Sequence, residues 1–335
     1  MDSSEVPEPS ETKTDCDSQK SNYSQCYKNN YKTMDLTLQQ RRETFLNEHK
    51  EKHSLVFDER RDLSELFEEY DCQTDESDMC DVEAMEVDVA RPRKKIKFRM
   101  TMSEWFTQIP EDLSDNWLFK LCPLGKRRLV ISHKGKTKCF NKFGHRLFKF
   151  ASSLPGGSTR KTQKEGLTVL DCILNENTKT FFILDMLVWN SVSFLECEAE
   201  LRLCWIRSRY EETPEMFSAY GKDTYQFNVL FDHPADIETI RSEIWQYNSQ
   251  NEVNCDGLIF YHREAPYISG ETPLVTWLKP FMLPERLNIE VPQEYERRKP
   301  PGYVNLESYI IYASERRKRR QLKKMDTEEI PMENN

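Results

Sequence analysis

The sequence predicts an α+β domain built on antiparallel sheet and flanked by polar segments, and three observations carry that prediction. Apolar runs of strand length recur between Met100 and Pro292: RRLVISH, TKCFNKFG, LTVLDCILNE, KTFFILDMLVWN, FNVLFDH and GLIFYHRE. The two longest flank NENT (Asn175 to Thr178), a turn-forming stretch that reads as a hairpin. Two stretches have helical spacing, one near Cys197 to Arg209 and the other ADIETIRSEIWQYN, with Ile237, Ile240 and Ile244 at i, i+3 and i+7. Strands grouped in hairpins with few helices argue for α+β over alternating βα units.

The flanking segments follow from composition. With 335 residues, 31% of them charged, and a mean hydropathy of -0.78, the chain is too polar to be globular throughout. Residues 1–24 are almost devoid of aliphatic side chains and read as disordered. Residues 25–70 read as a helical domain, since Tyr27 to Tyr70 contains no Pro or Gly. On pattern alone that helix is either a solvated polar segment with no partner in cis or a helix made for an external acidic groove. To such a groove it would offer Arg41, Arg42, Lys50, Lys52, Arg60 and Arg61.

Residues 71–97 form a linker that is acidic from Asp71 to Ala90 and then turns basic at RPRKKIKFR. The basic run is a nuclear localisation peptide or a charged lead into the first strand. The globular domain occupies 98–295, and 296–335 holds a terminal helix with a basic cluster from Arg316 to Lys324. That cluster reads as a solubilising tail, an RNA contact or a targeting signal.

The net charge of -9 argues against a wholesale nucleic-acid binder and confines any such role to local clusters. The ten cysteines form no CxxC pair and read as free thiols in a reducing compartment. The start is polar and no apolar run approaches membrane-spanning length, so the expectation is an intracellular protein without a membrane partner. The six histidines show no metal-ligand spacing, and GKT at Gly135 to Thr137 fails as a P-loop because Val130 stands where the first glycine belongs.

WLFKLCPLGKRRLVISHKGK (Trp117 to Lys136) reads as strand, turn, strand and sets Cys122 beside Lys126, Arg127 and Arg128. This is either a nucleophile's site or a clamp for an anion. Together with Lys142 and the Ser158, Arg160, Lys161 loop it supplies what a polyphosphate requires, although a turn rich in Lys and Arg also suits a solvated rim. Downstream, Trp277 in TPLVTWLKP is flanked by Lys279 and prolines, and reads as core or as a stacking platform.

In order along the chain, LTVLDC, FFILDML, LRLCWIR, DGLIF and TWLKP resemble the nucleotidyltransferase fold of messenger-RNA capping enzymes. More closely, MSEW (Met102 to Trp105), CPLGKR (Cys122 to Arg127), SSLPGG (Ser152 to Gly157), DGLIFYH and TPLVTWLKP resemble the snurportin family. The resemblance implies an import adaptor, shuttling between cytoplasm and nucleus, that binds the trimethylguanosine cap of spliceosomal small nuclear RNAs. It implies that Trp277 stacks on the cap guanine, that Met102, Ser103 and Trp105 line the base pocket, and that Lys126, Arg127 and Lys142 meet the triphosphate near Cys122. The 25–70 helix is similar to the family's importin-β-binding domain, which assigns Lys28, Lys32, Arg41, Arg42, Arg60 and Arg61 to importin-β.

Family members often begin with a hydrophobic peptide for an export receptor. Met1 to Lys20 has only Met1 and Val6 as large apolar residues, so an export receptor is a partner by resemblance alone.

The capping-enzyme likeness resolves the nucleophile question. Those enzymes use the lysine of a K-x-D-G motif, whose place is taken here by Cys122, followed by Pro123, Leu124 and Gly125. The single Asp-Gly, Asp256-Gly257, has Asn254 two residues before it, and Asp171 is followed by Cys172 and Ile173 where the enzymes carry Gly and an acidic residue. The expectation is a binding domain with no catalytic residues, metal or cofactor. The alternatives are an active RNA guanylyltransferase or ligase-like enzyme, and a general RNA binder driven by its basic clusters.

Overall fold

A computed structural model describes residues 37–56, 67–72, 93–158, 165–219, 225–250 and 254–328. The first elements are helix α1 (Leu38–Val56), strands β1 (Glu69–Cys72), β2 (Arg93–Ile96) and β3 (Thr101–Trp105), and the one-turn α2 (Leu113–Asn116). There follow β4 (Trp117–Pro123), β5 (Lys126–His133), β6 (Lys136–Phe140), β7 (Arg146–Phe150), β8 (Leu167–Asn175), β9 (Thr180–Trp189) and β10 (Val192–Ser193). The rest comprises α3 (Ala199–Glu212), β11 (Gln226–Val229), β12 (His233–Pro234), α4 (Ile237–Gln250), β13 (Cys255–His262), β14 (Gly270–Leu278), α5 (Leu283–Leu287), α6 (Gln293–Glu296) and α7 (Leu306–Glu328).

The architecture is α+β with two sheets. One has seven strands in the order β10-β9-β8-β5-β6-β7, with β11 also on β9, and the other five in the order β12-β4-β13-β14-β3. Pairing is antiparallel except for β11 with β9 and β14 with β3, which are parallel. The NENT hairpin is the β8–β9 turn, where Asn175 Oδ1 accepts the amides of Asn177 and Thr178. TKCFNKFG is shorter as a strand than its composition suggests, because Asn141 Oδ1 accepts the amides of Phe143 and His145 and closes a turn after Phe140.

Alternation along β13 assigns the layers. Leu258 and Phe260 point into a cluster with Phe119, Ile240, Ile244, Leu283, Leu306 and Ile310, so the helices cover that face. Ile259 and Tyr261 point the other way, toward Ile173 and Leu184 of the seven-stranded sheet and Leu203 of α3. Buried polar ties cross the second interface: Lys120 Nζ donates to the Leu184 carbonyl at 2.8 Å, and Arg202 makes a bidentate pair with Asp185. Both arginine and carboxylate of that pair are 1% exposed, and such a pair is retained because losing one partner would leave a buried charge.

Two readings of the flanks are corrected. Of the helical reading over 25–70, the described residues hold α1 at Leu38–Val56, with 25–36 and 57–66 outside the described residues, while Glu69–Cys72 is a strand that zips antiparallel onto Arg93–Ile96, so the acidic-to-basic linker is closed at both ends. The pairing sets Asp71 opposite Lys94, and Glu69 receives Lys138 at 2.6 Å and Arg146 at 2.8 Å from the seven-stranded sheet. Opposite charges across a ribbon stabilise it where composition alone suggests a coil.

Nor is α1 without a partner in cis. Arg41 makes a bidentate pair with the buried Glu104 of β3 at 2.5 and 3.2 Å, and Lys50 reaches Glu264 at 2.9 Å. Arg42 is 3% exposed, with its guanidinium 5.0 Å from the Trp117 ring centroid, while Phe45 and Leu46 pack on the inter-sheet cluster. A helix polar in sequence docks because its cations meet specific carboxylates and an indole face.

Candidate functional site

The corner between β4 and β5 carries the chain from one sheet to the other, so Cys122, at the end of β4, and Arg127, at the start of β5, stand where the two sheets meet. The turn needs glycine, since a Cβ at Gly125 would collide with Ile173 Cγ2 and the Leu174 carbonyl at 2.6 Å. Cys122 is fully buried, and burial, then the neighbouring Cys255, pushes its thiol well above the ordinary range. A thiol held protonated is no nucleophile.

The cations beyond the turn are held by carboxylates. Arg127 donates from Nε and Nη2 to Asp171 at 3.0 and 2.6 Å, and Tyr267 donates its hydroxyl to the same carboxylate at 2.7 Å. Burial works against the charged guanidinium, but the Asp171 carboxylate outweighs it and raises the Arg127 pKa, so the cation is permanent. Tyr267 also accepts the Thr101 amide at 3.3 Å, which ties Asp171 on β8 to the start of β3. Lys126 and Arg128 both approach Glu176 at 3.5 Å near the surface.

Opposite this corner lies Trp277. On β13, Gly257 pairs with Cys122 of β4, and a side chain at Gly257 would run into the Trp277 indole, so the ring lies against bare backbone. Lys279 Nζ sits 5.6 Å from the Trp277 ring centroid and is fixed by Asp256 at 2.7 Å. The indole remains partly exposed in a largely buried strand.

Of the residues singled out in sequence, Cys122, Arg127 and Trp277 come together near the sheet-to-sheet corner, with Lys126 at the start of β5 nearer the surface. Trp105 is the parallel-strand partner of Trp277, yet packs with the helix-covered cluster, edge-on to Tyr309 at 5.6 Å. Met102 and Ser103 lie farther along β3, opposite Glu271 and Thr272, roughly 7 to 10 Å from Trp105 at strand rise. Lys142 is in the β6–β7 turn, at the end of the sheet that carries Arg127, with Nζ 5.1 Å from the Phe143 ring centroid. Arg160 and Lys161 lie outside the described residues, as do Lys28, Lys32, Arg60 and Arg61.

Sequence reasoning missed Tyr267, the partnership of Asp171 with Arg127, and the Asp256–Lys279 brace. No local signal marks Tyr267; the other residues stand inside motifs already singled out, but their pairing spans up to 44 positions.

The fold is two packed sheets that meet at a corner bearing a glycine-backed indole, Trp277, and a carboxylate-fixed guanidinium, Arg127. Residues 99–280, more than half of the chain, match the family described as Snurportin1, m3G cap-binding domain. The chain belongs to that family, and its globular part is a snurportin-type m3G cap-binding domain.

Among solved structures, the chain is similar to the ligase domain of LigD from M. tuberculosis, at 14% identity over 55% of this chain and 59% of that one, with a TM-score of 0.38. It is also similar to the Chlorella virus DNA ligase-adenylate, at 11% identity over 54% and 69% of the two chains, with a TM-score of 0.37. The chain thus spans about three fifths of the LigD domain.

Among the described residues no helix is long and apolar enough to cross a membrane, and no group of three or more metal-ligating side chains is assembled.

Proposed function

We propose that this protein is a non-enzymatic import adaptor that holds a trimethylguanosine-capped small nuclear ribonucleoprotein where its two sheets meet and is linked to importin-β through its N-terminal segment, moving between cytoplasm and nucleus. The observation that carries the reading is the partly exposed Trp277 indole, laid on Gly257 beside the sheet-to-sheet corner that bears Arg127. A guanine methylated at its seven position is cationic and stacks well on an indole. Dimethylation of its exocyclic amine removes donor hydrogens, which suits an apolar wall better than a carboxylate. The triphosphate then falls toward Lys126, Arg127 and Lys142, while Met102, Ser103 and Trp105 bound the base side.

Competition between trimethylated and monomethylated cap analogues for capped RNA tests this directly: preference for the trimethylated analogue is expected, and equal competition overturns the assignment. Transfer of label from GTP to the protein would instead identify a guanylyltransferase. The loss of a K-x-D-G lysine and the buried, protonated Cys122 thiol speak against it.

The importin-β link has a structural condition. Arg41 and Arg42 are engaged by Glu104 and Trp117, so a receptor that takes the helix competes with those contacts. Glu104→Gln should therefore strengthen importin-β binding to the full chain; a binding constant unchanged by it would show that the receptor does not use these arginines.

A further inference from the structure

The run RRKRRQLKK, from Arg316 to Lys324, is cationic at every position but Gln321 and Leu322, in a chain of net charge -9. It lies on α7, outside the segment matched to the cap-binding family. The base of this helix is held firmly. Asn305 and Ser308 cap it reciprocally, side chain to backbone amide at 2.8 and 3.2 Å, and the Leu306 amide donates to Glu285 of α5. Leu306 and Ile310 are buried in the helix-covered core. A helix of 23 residues pinned at one end projects its far end in a defined direction.

The pinned end adjoins the candidate base platform. Tyr309 packs edge-on against Trp105, and Trp105 is the register partner of Trp277. The phenol of Tyr309 is pushed up by burial, then by the carboxylate of Asp256, and is opposed by the Arg316 cation, so it feels both the carboxylate that braces Lys279 and the first residue of the basic run. Helical spacing sets Arg316 on the stripe that carries Tyr309. At the α-helical rise the run begins about 10 Å from Tyr309 and ends about 22 Å from it. Arg316 and Arg319 are exposed, and the Glu315–Arg319 contact at 3.5 Å is a solvent-facing pair too weak to occupy Arg319.

We infer that the basic stretch of α7 is a second RNA site, which takes the phosphates of the RNA body just downstream of a cap held at Trp277. This rests on the cap-binding reading. RNA is favoured over a protein partner because the cap is covalently joined to its chain: once the cap is seated, phosphates are delivered to the helix at high effective concentration, and individually weak contacts add to the affinity. Such contacts are indifferent to sequence and release counterions.

The test uses the full chain and three probes: a trimethylated cap dinucleotide, a short single-stranded RNA bearing that cap, and the same RNA uncapped. The wild type should bind the capped RNA roughly tenfold more tightly than the dinucleotide at low salt, with a steeper salt dependence. A variant with Arg316→Gln, Arg317→Gln, Arg319→Gln and Arg320→Gln keeps good helix formers, which circular dichroism checks. It should bind the dinucleotide as the wild type does, lose the advantage of the capped RNA, and lose about 0.7 in log–log salt slope per abolished contact. Equal affinity of the wild type for dinucleotide and capped RNA overturns the inference. So does an advantage that survives in the variant, the outcome expected if the helix serves only a protein receptor. Failure of the wild type to bind the dinucleotide is a separate result: it removes the cap reading itself, and uncapped RNA bound with a shallow salt slope would remove the helix site as well.

Discussion

The two long basic helices, α1 and α7, meet the same domain in opposite ways. α1 docks with its charges engaged alongside Phe45 and Leu46: Arg41 on buried Glu104, Arg42 over Trp117, Lys50 on Glu264. α7 docks through Leu306, Ile310 and Tyr309 and carries its cations beyond the anchor. The difference teaches that a charge run has no role of its own. What the fold sets opposite it decides whether it becomes a structural contact or a surface for a polyanion.

The comparison breaks most visibly at the apolar anchor. Ile310→Ala should destabilise the domain by about 2 to 5 kcal/mol in urea unfolding, because it empties a buried site. A change well under 1 kcal/mol would mean that α7 is not held by its apolar base.

The candidate ligand platform at Trp277 should respond independently of both helices. Trp277→Ala should weaken cap affinity by about 1 to 3 kcal/mol and Trp277→Phe should recover part of it, with melting temperatures close to wild type. An Ala variant that melts far below wild type, and loses cap only in proportion to unfolding, would make Trp277 a core residue.

The α1 contacts are smaller in effect. Arg42→Ala should loosen the helix by about 0.5 to 2 kcal/mol, the range of a desolvated cation over an indole, read as faster amide hydrogen exchange across Leu38–Val56. The same contact carries a pH dependence. His262 lies edge-on to Trp117 at 5.4 Å and its pKa is lowered by burial; Asp112 and Glu264 oppose the shift, and Arg42 and Lys50 reinforce it. A folded pKa below the unfolded one means that the contribution is complete above the ordinary histidine value of about 6.5 and is lost as pH falls below it. Exchange in α1, corrected for intrinsic rates, should therefore quicken between about pH 7 and 5, and His262→Gln should flatten that change.

The smallest effect belongs to the exposed pair on α7. Glu315→Gln should alter stability by less than about 0.5 kcal/mol, and a larger loss would show that the basic run is held within the fold after all.

Much of the site was legible because its residues fall inside short motifs. CPLGKR contains the sheet-to-sheet corner, and DGLIF and TWLKP contain Gly257 and Trp277. The strands were legible from their apolar runs, and the β8–β9 hairpin from its turn chemistry. Trp105 had a role by resemblance alone, and its contact with Tyr309 of α7 was not legible, because the two lie far apart along the chain. Tyr267 was invisible because its partners, Thr101 and Asp171, lie 166 and 96 positions away.

What the sequence determined by itself was local or compositional: the α+β class, the missing K-x-D-G lysine, the concentration of basic charge in a few runs and the motifs that mark the family. Each depends on residues close together along the chain, where spacing maps directly onto geometry. Only the tertiary structure decided that Arg127 is pinned by Asp171 and Tyr267, that the linker is closed by the β1–β2 ribbon, and that the cations of α1 are engaged within the chain. Those outcomes rest on pairings between distant residues, and a buried ion pair forms only where the fold removes both partners from water and sets them face to face.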